Sequence, residues 1–229
     1  MEKDSFVGEI RKRSDNLWKA VLNHPFVKGI GDGSLSQDKF EYYLKQDYVY
    51  LIDFSRLLAV TTAKGRNLSD MSFFSILLNA TLTMEMELHR KVCADYGITT
   101  VDLENTEPAM ITTAYTKYLL STVYEGDFRD CMAVLLPCAL GYVEIAEHLR
   151  KQGLPEHKHY RAWIETYTSN EMKELVKWLE DKMEYYARNS SPEDRERWYR
   201  LYLFSARFEL LFFEMGWSKS FWTTAVPAD

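Results

Sequence analysis

The chain has 229 residues, 46% of them hydrophobic and 14% aromatic, with 34 acidic against 28 basic side chains and a net charge of −6. That is enough apolar material for a sizeable core, and an acidic balance without a basic tract excludes nucleic acid as the main partner, because phosphate binding needs clustered Lys and Arg. The opening MEKDSFVGEI lacks the apolar stretch of a signal peptide, and no uninterrupted apolar run reaches the roughly 18 residues that span a bilayer. Three cysteines, an odd number, fit a reducing compartment better than a disulfide framework. The expectation is a cytoplasmic protein that does not enter membranes.

Nearly every segment shows apolar spacing of three and four, so the chain reads as all-α. A first helix spans about 3–23 and stops at His24-Pro25, since proline disfavours helical geometry in the residue before it. GIGDGSLS reads as a turn punctuated by Gly29, Gly31 and Gly33. Ser36 is placed to cap a long helix over about 37–64, ended by Gly65. Further helices follow over about 68–95, stopping near Gly97, and about 107–124, with Thr106 as cap. VLLPCALGYVEIAEHL lies in a helix over about 127–152, closed by Gly153 and Pro155. Two more run over about 157–167 and 169–188, and the last over about 192–215, with Ser191 as cap and Pro192 at its first position. No repeat or long linker interrupts them, and residues 1–229 read as one helical-bundle domain.

Polar residues on apolar stripes mark candidate chemistry. In DKFEYYLKQDYVYLIDFSRLL the stripe Phe40, Leu44, Asp47, Leu51, Phe54, Leu58 is apolar except for Asp47. A carboxylate there needs a hydrogen bond, a pair or neutralisation, and Tyr50 lies one turn on. A structural ion pair, or a helix at the rim of the core, would also satisfy the pattern. In the last helix Trp198, Tyr202, Ser205, Glu209, Phe212 and Gly216 share a face, which sets Glu209 among aromatics and leaves Glu214 near the helix end, exposed. Cys131, Leu135, Cys138, Tyr142, Ile145 and Leu149 form a third stripe. Buried cysteine is usually plain packing. Cys138 stands out because Pro137 opens the helix ladder beside it, and Gly141 is expected to leave space near the sulfur.

Most of the 33 aromatic residues are expected in the core, yet Tyr50, Tyr115, Tyr142 and Tyr167 recur on expected inner faces, and buried tyrosine hydroxyls need partners. Tyrosines, two carboxylates and a thiol suit a flat, nitrogen-rich ligand. Metal chemistry lacks its ligand sets. The sole Glu-x-x-His, from Glu156 to His159, has no second copy; His89 and Cys93 are four apart with no matching pair; His148 reads as a solvated helix end. No metal or cofactor is expected. A non-catalytic ligand-binding or regulatory protein, and a helical metal oxidase, stay open as rival readings.

Five separated segments, HPFVKGIGDGSLSQDKFEYYLKQDYVYL, TTAYTKYLLS, LLPCALGYVEI, YRAWIETYTS and FELLFFEMGW, resemble in order the motifs of the TenA/thiaminase II family, from His24 to Trp217. The thiol in LLPC places the chain beside the cysteine-containing branch. The resemblance implies a haem-oxygenase-like bundle assembled as a homotetramer. It also implies hydrolysis of 4-amino-5-aminomethyl-2-methylpyrimidine to the hydroxymethyl pyrimidine, a thiamin-salvage step, with cleavage of thiamin itself in many members. Carried over by motif, Cys138 would be the nucleophile and Glu209 the acid/base. Asp47 would hold the amidine-like edge of the ring, and Tyr50, Tyr115, Tyr142, Tyr167 and Phe212 would line the pocket. Ala139 and Leu140 follow the cysteine where members often carry bulkier aromatics.

Overall fold

The computed structural model describes residues 5–222, and within them the secondary structure is helical throughout. The helices are α1 (Phe6–Arg13), α2 (Asp15–Leu22), α3 (Pro25–Asp32), α4 (Gln37–Lys64), α5 (Leu68–Ala80), α6 (Met86–Asp95), α7 (Thr100–Glu104), α8 (Met110–Glu125), α9 (Phe128–Gln152), α10 (Lys158–Tyr167), α11 (Asn170–Ala187) and α12 (Pro192–Ser218). Between α5 and α6 the helix continues through one π-turn, Thr81–Glu85.

The boundaries differ from expectation where a side chain competes with the backbone. The first helix is two, broken at Ser14, whose hydroxyl bonds the Ile10 carbonyl at 2.9 Å. The start of α1 is closed by Glu184, whose carboxylate accepts from the Phe6 and Val7 amides at 3.0 and 2.6 Å. The glycine-rich stretch expected as a turn is mostly helix α3. His24 caps it by accepting from the Phe26 amide at 3.2 Å, and Pro25 sits at its first position. Burial of Phe26, Val27 and Ile30 outweighs the glycines there. Gly29 is needed for close approach: an added Cβ would collide with the backbone and Cβ of Leu35. Ser36 occupies the cap position of α4 but makes no side-chain cap bond. Thr106 precedes α8 without beginning it, because Pro108 intervenes and α8 starts at Met110.

The chain forms two compact units, Met1–Leu35 with Ser121–Leu210, and Ser36–Leu120 with Leu211–Asp229. In the first unit α9 is the central element, packed by α2, α3, α10 and α11, with α1 laid on α11. By length and composition α9 could cross a membrane, with a mean hydropathy of 1.4, but 72% of that apolar window is buried inside the protein, as in a core helix. Its start is held by a reciprocal capping box between Asp127 and Asp130. Gly141, expected to leave space near Cys138, does something else. The indole of Trp18 fills that position, and its Nε1 donates to the Tyr202 hydroxyl at 2.8 Å.

In the second unit α4 packs against α5, the π-turn, α6 and α7. Gln46 joins α4 to the start of α8: its Oε1 accepts from the Ala109 amide at 2.8 Å and the Thr112 hydroxyl at 2.7 Å, while its Nε2 donates to the Glu107 carbonyl at 3.1 Å. Thr112 also reaches Met215 Sδ at 3.4 Å, which ties in the end of α12.

Two substitutions test this packing. Gly141→Ala puts a methyl into the Trp18 ring and is expected to lower unfolding free energy by about 1–3 kcal/mol in urea titrations, with Trp18→Phe recovering part of the loss. Gln46→Leu orphans the Ala109 amide and the Glu107 carbonyl at the head of α8 and leaves Thr112 only its Met215 contact, and is expected to remove about 2 kcal/mol or more in the same measurement.

Candidate active site

The three cysteines sort by access. Cys93 and Cys131 are fully buried, whereas Cys138 is half-buried. Burial, reinforced by the nearby Asp47 charge, pushes the Cys93 thiol up to about 12, so it stays protonated and is a poor nucleophile. Cys138 is therefore the thiol that can meet a ligand. Helix α9 runs unbroken through Pro137, which has no N–H to give the Ala133 carbonyl.

The first unit brings α12 alongside this stretch. Arg197 pairs with Asp130 at 3.0 Å near the start of both helices, and further on the Ser205 hydroxyl donates to the Val134 carbonyl at 2.8 Å. These two ties run α9 and α12 in the same sense. Cys138 and Glu209 each lie four residues, one helical turn, beyond the second tie on their own helix. Glu209 is buried at 3% exposure, and so are its stripe companions Trp198, Tyr202 and Ser205, while Glu214 is exposed as expected. One turn after Cys138, Tyr142 packs on Tyr167 of α10 with ring centroids 4.8 Å apart. Trp163 completes the group, 5.6 Å from Tyr142 and 4.8 Å from Tyr167. Trp163 was missed in the sequence, although its position four residues before Tyr167 on one helix was a usable signal.

The second unit gathers the other candidates. Tyr50 of α4 is buried, with Tyr115 of α8 at 5.3 Å and Phe212 of α12 at 5.8 Å between centroids. Tyr43, two turns before Tyr50, meets Phe212 edge-on at 5.8 Å and was also missed. Asp47 is half-buried, and His89 Nε2 of α6 stands 3.6 Å from its Oδ2. The structural ion pair weighed for Asp47 is not formed by this contact, because burial depresses His89 to about 4, leaving it neutral. Among the described residues no group of three or more His, Cys, Asp or Glu side chains is arranged to hold a metal ion.

The arrangement offers, in one unit, an accessible thiol and a buried carboxylate beside packed tyrosines and a tryptophan, and in the other a carboxylate next to an aromatic cluster. Nucleophilic addition with acid/base assistance needs such groups.

Comparison with known proteins gives these groups a context. The chain is 42% identical over 219 residues to a Halalkalibacterium halodurans protein named aminopyrimidine aminohydrolase, covering 95% of this chain and 98% of that one. A Bacillus subtilis protein of the same name is 30% identical over 95% of this chain and 92% of its own. A solved TenA homologue from P. horikoshii superposes with a TM-score of 0.86 at 31% identity, covering 93% of this chain and 99% of that one. A domain of unknown function with a heme oxygenase-like fold from Shewanella denitrificans, 13% identical over 93% of this chain and 92% of its own, shares the fold with a TM-score of 0.71. The model of the TENA/THI-4/PQQC family matches residues 11–219, and the chain belongs to that family.

Proposed function

We propose that this protein is an aminopyrimidine aminohydrolase of thiamin salvage, converting 4-amino-5-aminomethyl-2-methylpyrimidine and water into the hydroxymethyl pyrimidine and ammonia, with thiamin as a second substrate. The observation that carries the reading is the half-buried Cys138, the accessible thiol of the three, one turn beyond a tie between α9 and α12 that also leads to the buried Glu209. The near full-length likeness to proteins of that name supports the substrate class.

In the proposed mechanism the Cys138 thiolate adds to the electron-poor ring and forms an S–C bond. The added electron density expels the amine from the exocyclic methylene, and Glu209 gives that leaving group its proton. Water then adds to the methylene, Glu209 takes the proton back, and the S–C bond breaks to return the thiolate. Asp47 accepts from the ring amino group and its neighbouring nitrogen edge. Two carboxylates in different surroundings divide the acid/base and binding roles. Tyr50, Tyr115, Tyr142, Tyr167 and Phe212 supply flat apolar surface for the ring.

We read the chain as a single family domain acting in the cytoplasm, a reading supported by the absence of any disulfide among its three cysteines. We read the assembly as a homotetramer. That is supported by the large apolar side chains exposed along α5, the π-turn and α6: Leu68, Ile76, Leu82, Met84 and Leu88, the first at 84%. Stacked against another copy, such a face would be covered.

Chromatographic assay of purified protein with each pyrimidine separately is expected to show release of the hydroxymethyl product. Cys138→Ser should lose roughly three orders of magnitude or more in rate, and Glu209→Gln about 10²–10⁴-fold in kcat. Full activity in the serine variant would refute the thiol mechanism, and no turnover of either substrate would refute the assignment. Sedimentation should give a tetramer mass, with Met84→Glu plus Leu88→Glu shifting it to smaller species; a monomeric parent protein would overturn the assembly.

A further inference from the structure

Helix α6 does not continue the phase of α5. The residues buried along α5 and into the π-turn, Asp70, Phe74 and Thr81, are spaced as an α-helix spaces them. The next buried residue is Met86, five on from Thr81, and then Cys93. A step of five is the signature of the π-turn, which inserts one extra residue and rotates everything after it by about 100°. Without it, Leu88 would face α4. With it, Leu88 is 50% exposed and His89 turns inward instead.

His89 arrives at a defined place. Its Nε2 lies 3.1 Å from the Leu44 carbonyl of α4, as an N–H donor does, and 3.6 Å from Asp47 Oδ2, one turn further along that helix. The Tyr48 ring lies beside it, tilted 46° to the imidazole with centroids 6.2 Å apart. Burial holds the imidazole neutral, and the Leu44 bond pulls weakly the other way. A neutral ring whose Nε2–H faces a backbone carbonyl has a fixed tautomer, and it presents that electropositive edge to one oxygen of Asp47.

We propose that His89 is a positioning residue for Asp47. Held by the π-turn and the Leu44 carbonyl, its Nε2–H edge occupies the Oδ2 side of the carboxylate and so sets the orientation in which Asp47 meets the ring amino group of an aminopyrimidine. The inference rests on the role given to Asp47 above. A separation of 3.6 Å is a close approach rather than a hydrogen bond; with its one proton given to the Leu44 carbonyl, the imidazole acts on Oδ2 through the positive edge of the ring and by occupying that side.

The test uses His89→Leu, His89→Gln, Asp47→Asn and the double variant Asp47→Asn/His89→Leu. KM and kcat are measured on the aminomethyl pyrimidine, and affinity for the hydroxymethyl pyrimidine by calorimetry. His89→Leu should weaken pyrimidine affinity and raise KM by about tenfold, with a smaller change in kcat. His89→Gln, which sets an amide N–H close to where Nε2–H stands, should restore most of it. The double variant should lose no more than Asp47→Asn alone, since His89 acts through Asp47. Nitrogen NMR of the native protein should show the neutral Nε2–H tautomer at pH 7. If Asp47→Asn weakens binding while His89→Leu does not, or if Gln fails as Leu does, the positioning role is overturned and the reading of Asp47 stands. If Asp47→Asn itself leaves affinity unchanged, the reading of Asp47 falls, and this inference with it.

Discussion

A buried polar atom left without a partner destabilises a fold by about 1–3 kcal/mol, and the specific features of this chain follow from meeting that demand on apolar helix faces. Gln46 sits in the core of its unit and is tolerated because it satisfies two donors and one acceptor at the head of α8. Ser205 sits on an aromatic stripe and is tolerated because it finds the Val134 carbonyl of α9. In each case the bond that makes a polar residue acceptable also sets the register between two helices. Tyr115 is carried on α8 and Glu209 on α12, so the candidate groups inherit their positions from these ties.

The long helices were legible because their apolar stripes recur over many turns: α4 begins and ends where the pattern says, and Asp47, Cys138 and Glu209 all lie on the stripes that singled them out. Short range was harder to read. Ser14 splits one expected helix by bonding its own backbone, and α3 forms through glycines because His24, Pro25 and three buried apolar side chains outweigh their propensity. Gly141 was assigned the wrong purpose for a related reason. A glycine announces that something comes close, and only the tertiary structure shows it to be Trp18 rather than a ligand. The π-turn had no sequence signal at all, since residues 68–95 carry no proline or glycine and an α-helical reading of them is locally sound.

The cysteines illustrate how environment divides one residue type among roles. Cys131 is a small apolar filler in α9. Cys93 has a carboxylate nearby that, together with burial, keeps it protonated. Cys138, seven residues from Cys131 on the same helix, reaches the surface of its unit's core. Proline and glycine flank it with different effects: one leaves the Ala133 carbonyl without its helix donor, and the other lets a large ring press against the helix.

The one-residue slip between α5 and α6 has a consequence for how this protein can vary. Along a regular helix, positions that tolerate polar replacement recur with a constant phase. Here the phase jumps between Thr81 and Met86, so a residue's distance from Phe74 stops foretelling whether it is inside. Two relatives that differ by a single inserted or deleted residue in this segment would present different side chains to α4 while keeping every apolar residue. A change in length, without any substitution, would exchange His89 for Leu88 beside Asp47, and family members can be sorted on that basis before any of their activities are measured.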